Sequence, residues 1–210
     1  MRRSPSSGGF TLLEILIVIV IISILSSLLL YGIHAAIVAA RQSSTEGLVR
    51  SIGGALESYK SQYGDYPPSS LDKFRVRLPN DTNNGVETLV ACISTTKKGG
   101  PFWRPPDENQ FINADKDRAD RNLTNWYFGH NELMEISDNF GNTLWYLHSA
   151  DYAKPAPHHL KVIPYLNAKP VTVKVYQSDK FKTPASPGRF QLVSMGPDGL
   201  FGTMDDIRGW

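Results

Sequence analysis

Few residues in this chain are spaced to do chemistry on a substrate. There is no Gly-x-Ser-x-Gly, no His-Glu-x-x-His and no phosphate-loop spacing, and the single cysteine, Cys92, has no motif around it. One cysteine also excludes an intrachain disulfide and a Cys-x-x-Cys metal knuckle, which leaves Cys92 as a small buried hydrophobe on a helix. The pattern that does invite chemistry is Gly8-Gly9-Phe10-Thr11-Leu12-Leu13-Glu14-Ile15, where one carboxylate stands a few residues inside an otherwise uncharged apolar run. An ionised side chain at the centre of a membrane helix costs about 2.5–3.5 kcal/mol, and such residues usually have a partner and a function. A cut between Gly9 and Phe10 makes Glu14 the fifth residue of a chain whose first residue carries a free α-amine. Amine and carboxylate then lie about 6 Å apart along one helix, and a neighbour staggered by a short axial step can pair its amine with this carboxylate.

The element that must carry Glu14 is the apolar run itself. From Ile15 to Ala40 there is no Asp, Glu, Lys or Arg, and about 20 helical residues suffice to cross the roughly 30 Å hydrocarbon layer. A secretory signal peptide also places basic residues before an apolar stretch, but its apolar region is about 7–15 residues and ends at a small-residue cleavage site. Here the run is longer and the glycine pair precedes it, so a cut at Gly9 keeps the helix. Beyond the run, Leu48, Ile52, Ala55, Leu56, Tyr59 and Tyr63 form one apolar stripe at helical spacing. Gly64 reads as the C-cap, and Pro67-Pro68 forbid continuation. The prediction is one long helix, apolar all round in its first half and amphipathic in its second.

Gly9-Phe10-Thr11-Leu12-Leu13-Glu14 and the helix behind it resemble the type IV prepilin signature, shared by type IV pilins and the pseudopilins of type II secretion. The short basic leader, the Gly before the cut, the Phe after it and the Glu at mature position five all coincide. The bland alternative is an ordinary membrane anchor with a chance Glu. Three further stretches, in order, resemble the major pseudopilin of type II secretion: residues 56–68 with their Gly-x-Tyr-Pro exit, a second short helix at Asn83–Val90, and the turn and strand Asp138–Tyr146. The helix at Asn83–Val90 should turn Val86, Leu89, Val90 and Ile93 inward and end at Gly99-Gly100. At about 22 residues into the mature chain the family commonly has a Pro, whereas this chain has Tyr31-Gly32, a Gly that weakens a helix by about 1 kcal/mol relative to Ala.

The resemblance implies a pilin-like α+β fold: a long N-terminal membrane and spine helix on a small antiparallel sheet, closed by a C-terminal calcium-binding loop. The residues argue in the same direction. Strand candidates Thr143–His148, Leu160–Tyr165, Val171–Gln177 and Arg189–Met195 follow the helices rather than alternate with them. The divisions expected are a leader over 1–9, the membrane and assembly half of the helix over 10–40, its amphipathic half over 41–64, and a globular domain over 65–210. Two stretches look like insertions. Residues 101–131 hold the run Asp115–Arg121, which fails as an EF-hand because Ala119 and Asp120 occupy loop positions five and six, and which reads as a solvated charged loop. Residues 151–187 hold His158-His159, read as surface residues.

The C-terminus, Ser194 to Ile207, resembles the family's calcium loop. Asp198 precedes Gly199, and Gly202 lets the loop fold back so that Asp205 and Asp206 can approach. Oxygen-only ligands on a glycine-bent loop are what a hard cation such as Ca2+ requires, and Asp198 and Asp205 are the favoured side-chain ligands, with Asp206 a further candidate.

The formal charge is +2, and loss of Arg2 and Arg3 with the leader leaves the chain formally neutral, which gives no case for nucleic acid. Arg2 and Arg3 favour a cytoplasmic N-terminus and a translocated C-terminal part. The resemblance therefore implies a non-enzymatic subunit of the bacterial inner membrane, single-pass, with a periplasmic domain. A prepilin peptidase would cut after Gly9 and methylate the Phe10 amine. Membrane lipid surrounds the helix before assembly. The partners are then further copies of the chain, other pseudopilins and the inner-membrane secretion platform. The rivals are a type IV pilin or minor pseudopilin, and, from a different class, a membrane-anchored periplasmic binding or catalytic domain that uses a pilin-type signal only for export.

Overall fold

A computed structural model of the chain describes residues 9–96, 99–123 and 128–210. The leader expected over 1–9 lies outside the described residues except for Gly9. Contacts divide the chain into two compact units that meet between Ala40 and Arg41.

The first unit holds the apolar part of helix α1 (Leu12–Tyr63). Large apolar side chains stand exposed from Leu12 to Ile37, and none of the most apolar stretch is buried within the chain. Two of its hydroxyls bond locally: Ser23 Oγ donates to the Ile19 carbonyl and Ser27 Oγ to that of Ile24, both at 2.7 Å. A helix that bonds its backbone internally and returns hydroxyls such as these to its own carbonyls is suited to lipid. The helix runs without interruption through Gly32.

In the second unit, α1 presents Leu48, Ile52, Ala55, Leu56 and Tyr59 to the core, as the stripe predicts, and Val49 beside them. Tyr63 stands at the rim, stacked on Tyr59 at 4.4 Å. Gly64, at φ +88°, donates its N–H to the Lys60 carbonyl at 2.7 Å and ends the helix where expected. The exit is then fastened by Tyr66, whose ring meets Phe190 edge-on and whose hydroxyl donates to Glu57 at 3.0 Å.

Helix α2 (Asn84–Ile93) turns Val86, Leu89, Val90 and Ile93 inward. It ends six residues before Gly99, a correction to the sequence reading: Phe102 and Trp103 both donate their N–H groups to the Ile93 carbonyl, at 2.8 and 3.2 Å, and so turn the chain away. Gly85 is needed for a different reason. A Cβ there would sit 2.1 Å from the Tyr146 carbonyl oxygen, so α2 and the sheet touch backbone to backbone.

The main sheet is antiparallel, in the order β3 (Trp145–His148), β6 (Phe190–Ser194), β7 (Ile207–Arg208). Strands β3 and β6 are buried on both faces. Tyr146, Phe190 and Leu192 join the α1 and α2 core. Trp145, Leu147 and Val193 face the opposite way, onto Tyr152, Val162 and Val173 from the second insertion.

Other expectations need correction. The candidates Leu160–Tyr165 and Val171–Gln177 contribute only β4 (Lys161–Val162) and β5 (Val171–Thr172), which pair with each other and not with the main sheet. A further pair joins β1 (Phe111–Ile112), inside the first insertion, to β2 (Glu135–Ile136), just beyond its end. His159 is buried rather than on the surface, because the short helix α3 (Pro157–Leu160) turns its ring inward and its carbonyl accepts Trp145 Nε1–H at 3.0 Å. The run Asp115–Arg121 is no solvated loop either: Asp117 and Ala119 are buried, and Asp115 is half-buried, directed toward Glu87 and Glu135.

Candidate functional site

The N-terminal site is built on the first turn of α1. Gly9 and Phe10 precede the helix in open coil, and Phe10 is 81% exposed. A Cβ added at Gly9 would meet nothing within 4 Å. Nothing in the described fold therefore asks for glycine at that position, and any requirement for it comes from a molecule that reads the segment.

Thr11 is the N-cap and Glu14 the third helical residue, and together they close a capping box. Glu14 Oε2 accepts the Thr11 N–H at 2.7 Å and the Thr11 hydroxyl at 2.8 Å, while the Glu14 N–H donates to Thr11 Oγ1 at 3.2 Å. A Thr-x-x-Glu box satisfies two of the otherwise orphan donors of a helix start. The sequence reading treated Glu14 only as a charge in search of a partner on another subunit. The signal for its local role was present in the Thr11 to Glu14 spacing.

The second site is the C-terminal loop between β6 and β7. It is anchored by Asp138, whose Oδ1 accepts the N–H groups of Phe140 and Asn142 at 2.8 and 2.9 Å and whose Oδ2 accepts the Ser194 hydroxyl at 2.6 Å. Burial pushes the Asp138 carboxyl up from its ordinary range against these bonds. Asn142 Nδ2 in turn donates to the Gly196 carbonyl at 2.9 Å, which fixes the start of the loop. Gly196 has φ +64°, and a Cβ there would lie 2.3 Å from the Asp205 carbonyl oxygen, so only glycine lets the two ends of the loop close on each other.

Of the three loop carboxylates, the structure brings two together. Asp205 Oδ2 accepts the Asp198 N–H at 3.1 Å, and Asp198 Oδ1 accepts the Leu200 N–H at 2.8 Å. The Thr203 hydroxyl, at 2.6 Å, is the main cause that holds the Asp205 carboxyl below its ordinary range. Asp206 turns elsewhere: its Oδ2 accepts the Tyr176 hydroxyl at 2.8 Å and the Gly202 N–H at 2.9 Å, its Oδ1 is buried without a partner, and burial pushes its pKa up. The donor set around Asp198 and Asp205 is oxygen throughout, carboxylate, hydroxyl and carbonyl, and so fits a hard cation rather than a thiophilic or imidazole-bound metal. Cys92 is buried, with its thiol pushed up to about 12 by burial, and is no nucleophile.

The N-terminal segment defines the class. Residues 5–30 match the family described as prokaryotic N-terminal methylation motif. Over its full length the chain is also similar to the type II secretion system core protein G of Escherichia coli (strain K12), with 26% identity over 210 residues that cover all of this chain and 95% of that protein. No solved structure matches. The prepilin signature read from Gly9 to Glu14 is upheld by the first comparison and the resemblance to the major pseudopilin of type II secretion by the second, and with the apolar helix they make the chain a membrane-anchored envelope protein.

Proposed function

We propose that this chain is a structural subunit of a type II secretion pseudopilus, processed by a prepilin peptidase between Gly9 and Phe10, methylated on the Phe10 amine and polymerised into a periplasmic filament. The observation that carries the reading is the uncovered apolar first half of α1 headed by Glu14. An apolar surface of that extent needs lipid before assembly and other copies of the same helix after it. The N-terminus stays cytoplasmic and the domain beyond Ala40 is periplasmic, which follows from the basic leader. Its partners are copies of itself, other pseudopilins and the inner-membrane platform. The role is structural rather than catalytic. Calcium at the C-terminal loop belongs to the same reading, with Asp198 and Asp205 as side-chain ligands and loop carbonyls completing the shell.

The test compares two substitutions at Glu14 in cells that express the secretion machinery. Glu14→Gln keeps the capping acceptor and removes the charge, whereas Glu14→Ala removes both. If the carboxylate pairs with a neighbour's amine, both variants insert into the membrane and both fail to give filaments by electron microscopy. Normal filaments from Glu14→Gln would refute the ion pair and leave only the cap. Intact mass of the native protein must show a chain that begins at a methylated Phe10, and a chain that begins at Met1 would overturn the reading.

A further inference from the structure

Four carboxylates from three separate stretches meet inside the second unit: Glu87 on α2, Asp115 and Asp117 after β1, and Glu135 on β2. Among the described residues, Glu87, Asp115 and Glu135 form the one group of three whose ligand oxygens all lie within 4.8 Å of one another. Glu87 is 1% exposed and Glu135 0%. Polar neighbours hold the cluster in shape. Asn80 Nδ2 donates to Asp115 Oδ2 at 2.9 Å and to Asp117 Oδ2 at 3.0 Å, and the Thr82 hydroxyl donates to Asp115 Oδ2 at 2.9 Å. Asn83 Nδ2 and the Ala114 N–H donate to the two oxygens of Glu135 at 2.7 and 2.9 Å.

These bonds leave a set of oxygens over. Both carboxylate oxygens of Glu87, Asp115 Oδ1 and Asp117 Oδ1 are buried and have no hydrogen-bond partner. The adjacent cations face other ways: Lys116 Nζ donates to Asn167 Oδ1 at 2.8 Å, Arg118 pairs with Glu132 at 2.6 Å, and Lys161 pairs with Asp81. Among the described residues, no Lys or Arg pairs with any of the four. Buried carboxylates left without donors or countercharge are among the costliest arrangements in a protein, and they persist when a proton or a cation completes them.

We propose that Glu87, Asp115, Asp117 and Glu135 form a second calcium site, distinct from the C-terminal loop, which ties the first insertion to α2. The geometry suits the ion. Two oxygens that share one cation at about 2.4 Å can be no more than about 4.8 Å apart, and calcium takes six to eight oxygens at about 2.3–2.6 Å, often through bidentate carboxylates. Magnesium is the poorer fit, since it demands about 2.0–2.1 Å, keeps several waters, and here meets a buried cluster. The competing arrangement is a proton shared between Glu87 and Asp115.

The experiment uses the full-length chain in detergent micelles, stripped with chelator, in an Asp198→Ala/Asp205→Ala background that disables the C-terminal loop. Titration calorimetry should show one calcium bound per chain, and the melting temperature should rise by about 5–10 °C at a hundredfold excess over Kd. Glu87→Gln added to that background should abolish both the binding and the shift. In chelator the same Glu87→Gln protein should melt no lower than its parent, because a repelling charge has gone, which separates loss of the ion from loss of the fold. As an independent check, Glu87→Gln in the otherwise natural chain should lower the calcium stoichiometry by one. No bound calcium and an unchanged melting temperature in the loop-disabled protein would overturn the site, as would a stabilisation obtained by lowering the pH but not by calcium. An equal shift with magnesium would overturn the assignment to calcium.

Discussion

Asp138 is one of the most heavily bonded carboxylates in the chain and ties together three otherwise separate pieces: its own turn, strand β6 and, through Asn142, the start of the C-terminal loop. Asp138→Ala removes the acceptor of the Asn142 N–H and of the Ser194 hydroxyl, both buried, and of the half-buried Phe140 N–H. Each buried donor left unpaired costs about 1–3 kcal/mol. Two such donors therefore give a gross loss of roughly 2–6 kcal/mol, offset in part because a carboxylate no longer has to be buried, for a net of about 2–4 kcal/mol. At 2–4 °C per kcal/mol for a chain of this length, the melting temperature should fall by about 5–15 °C. Thermal unfolding followed by circular dichroism reads this directly. Asp138→Asn is the informative companion, because it retains Oδ1 for the two backbone donors but presents an amide to Ser194 and to Asn142, so its loss should be clearly smaller. An Asp138→Ala protein that melts within a degree of wild type would show that the turn is held by packing alone.

Gly85→Ala should destabilise, since its Cβ would sit 2.1 Å from the Tyr146 carbonyl, far inside the 3.4 Å at which ordinary contact begins; overpacking at about 1–3 kcal/mol outweighs the gain of up to about 1 kcal/mol in helix propensity, and denaturant unfolding checks it. Burial lowers the His159 pKa, so the folded chain binds fewer protons there than the unfolded chain. Stability should therefore rise with pH through the window below about 6.5 and be lost on acidification, and a His159→Asn variant that shows the same slope between pH 5 and 7 would refute this. With the buried cluster disabled by Glu87→Gln, calcium should still raise the melting temperature by way of the C-terminal loop, and adding Asp198→Ala should remove that shift; persistence of the shift would exclude Asp198 as a ligand.

The parts of the fold that could be read from sequence are those where the chemistry is local. The end of α1 at Gly64, the apolar stripe from Leu48 to Tyr59 and the strands β3 and β6 are each specified by neighbours within one or two turns of chain. What escaped was non-local or too short. Glu87, Asp115 and Glu135 are far apart in sequence and form no motif; only the folding of the insertion back onto α2 brings them together. His159 looked like a surface residue because adjacent histidines in a proline-rich stretch carry no periodicity, and its burial depends on Trp145 reaching its carbonyl. The strands β1, β2, β4, β5 and β7 are two residues each, below the length at which alternation can register. At the loop, Asp198, Asp205 and Asp206 were all named, but their separation into a pair and an outlier follows from the Tyr176 hydroxyl, thirty residues upstream of Asp206.

The capping box at Thr11 and Glu14 would survive the proposed cut after Gly9, since both of its residues lie beyond that bond. A carboxylate capped in this way has one oxygen, Oε2, held in its own helix start and the other, Oε1, open to solvent. On the proposed pairing, the cap thus aims the acceptor before a neighbour arrives, so less side-chain freedom is lost when the bond forms. The rate at which a subunit joins should then respond to substitutions at Thr11, a residue that never has to touch the partner.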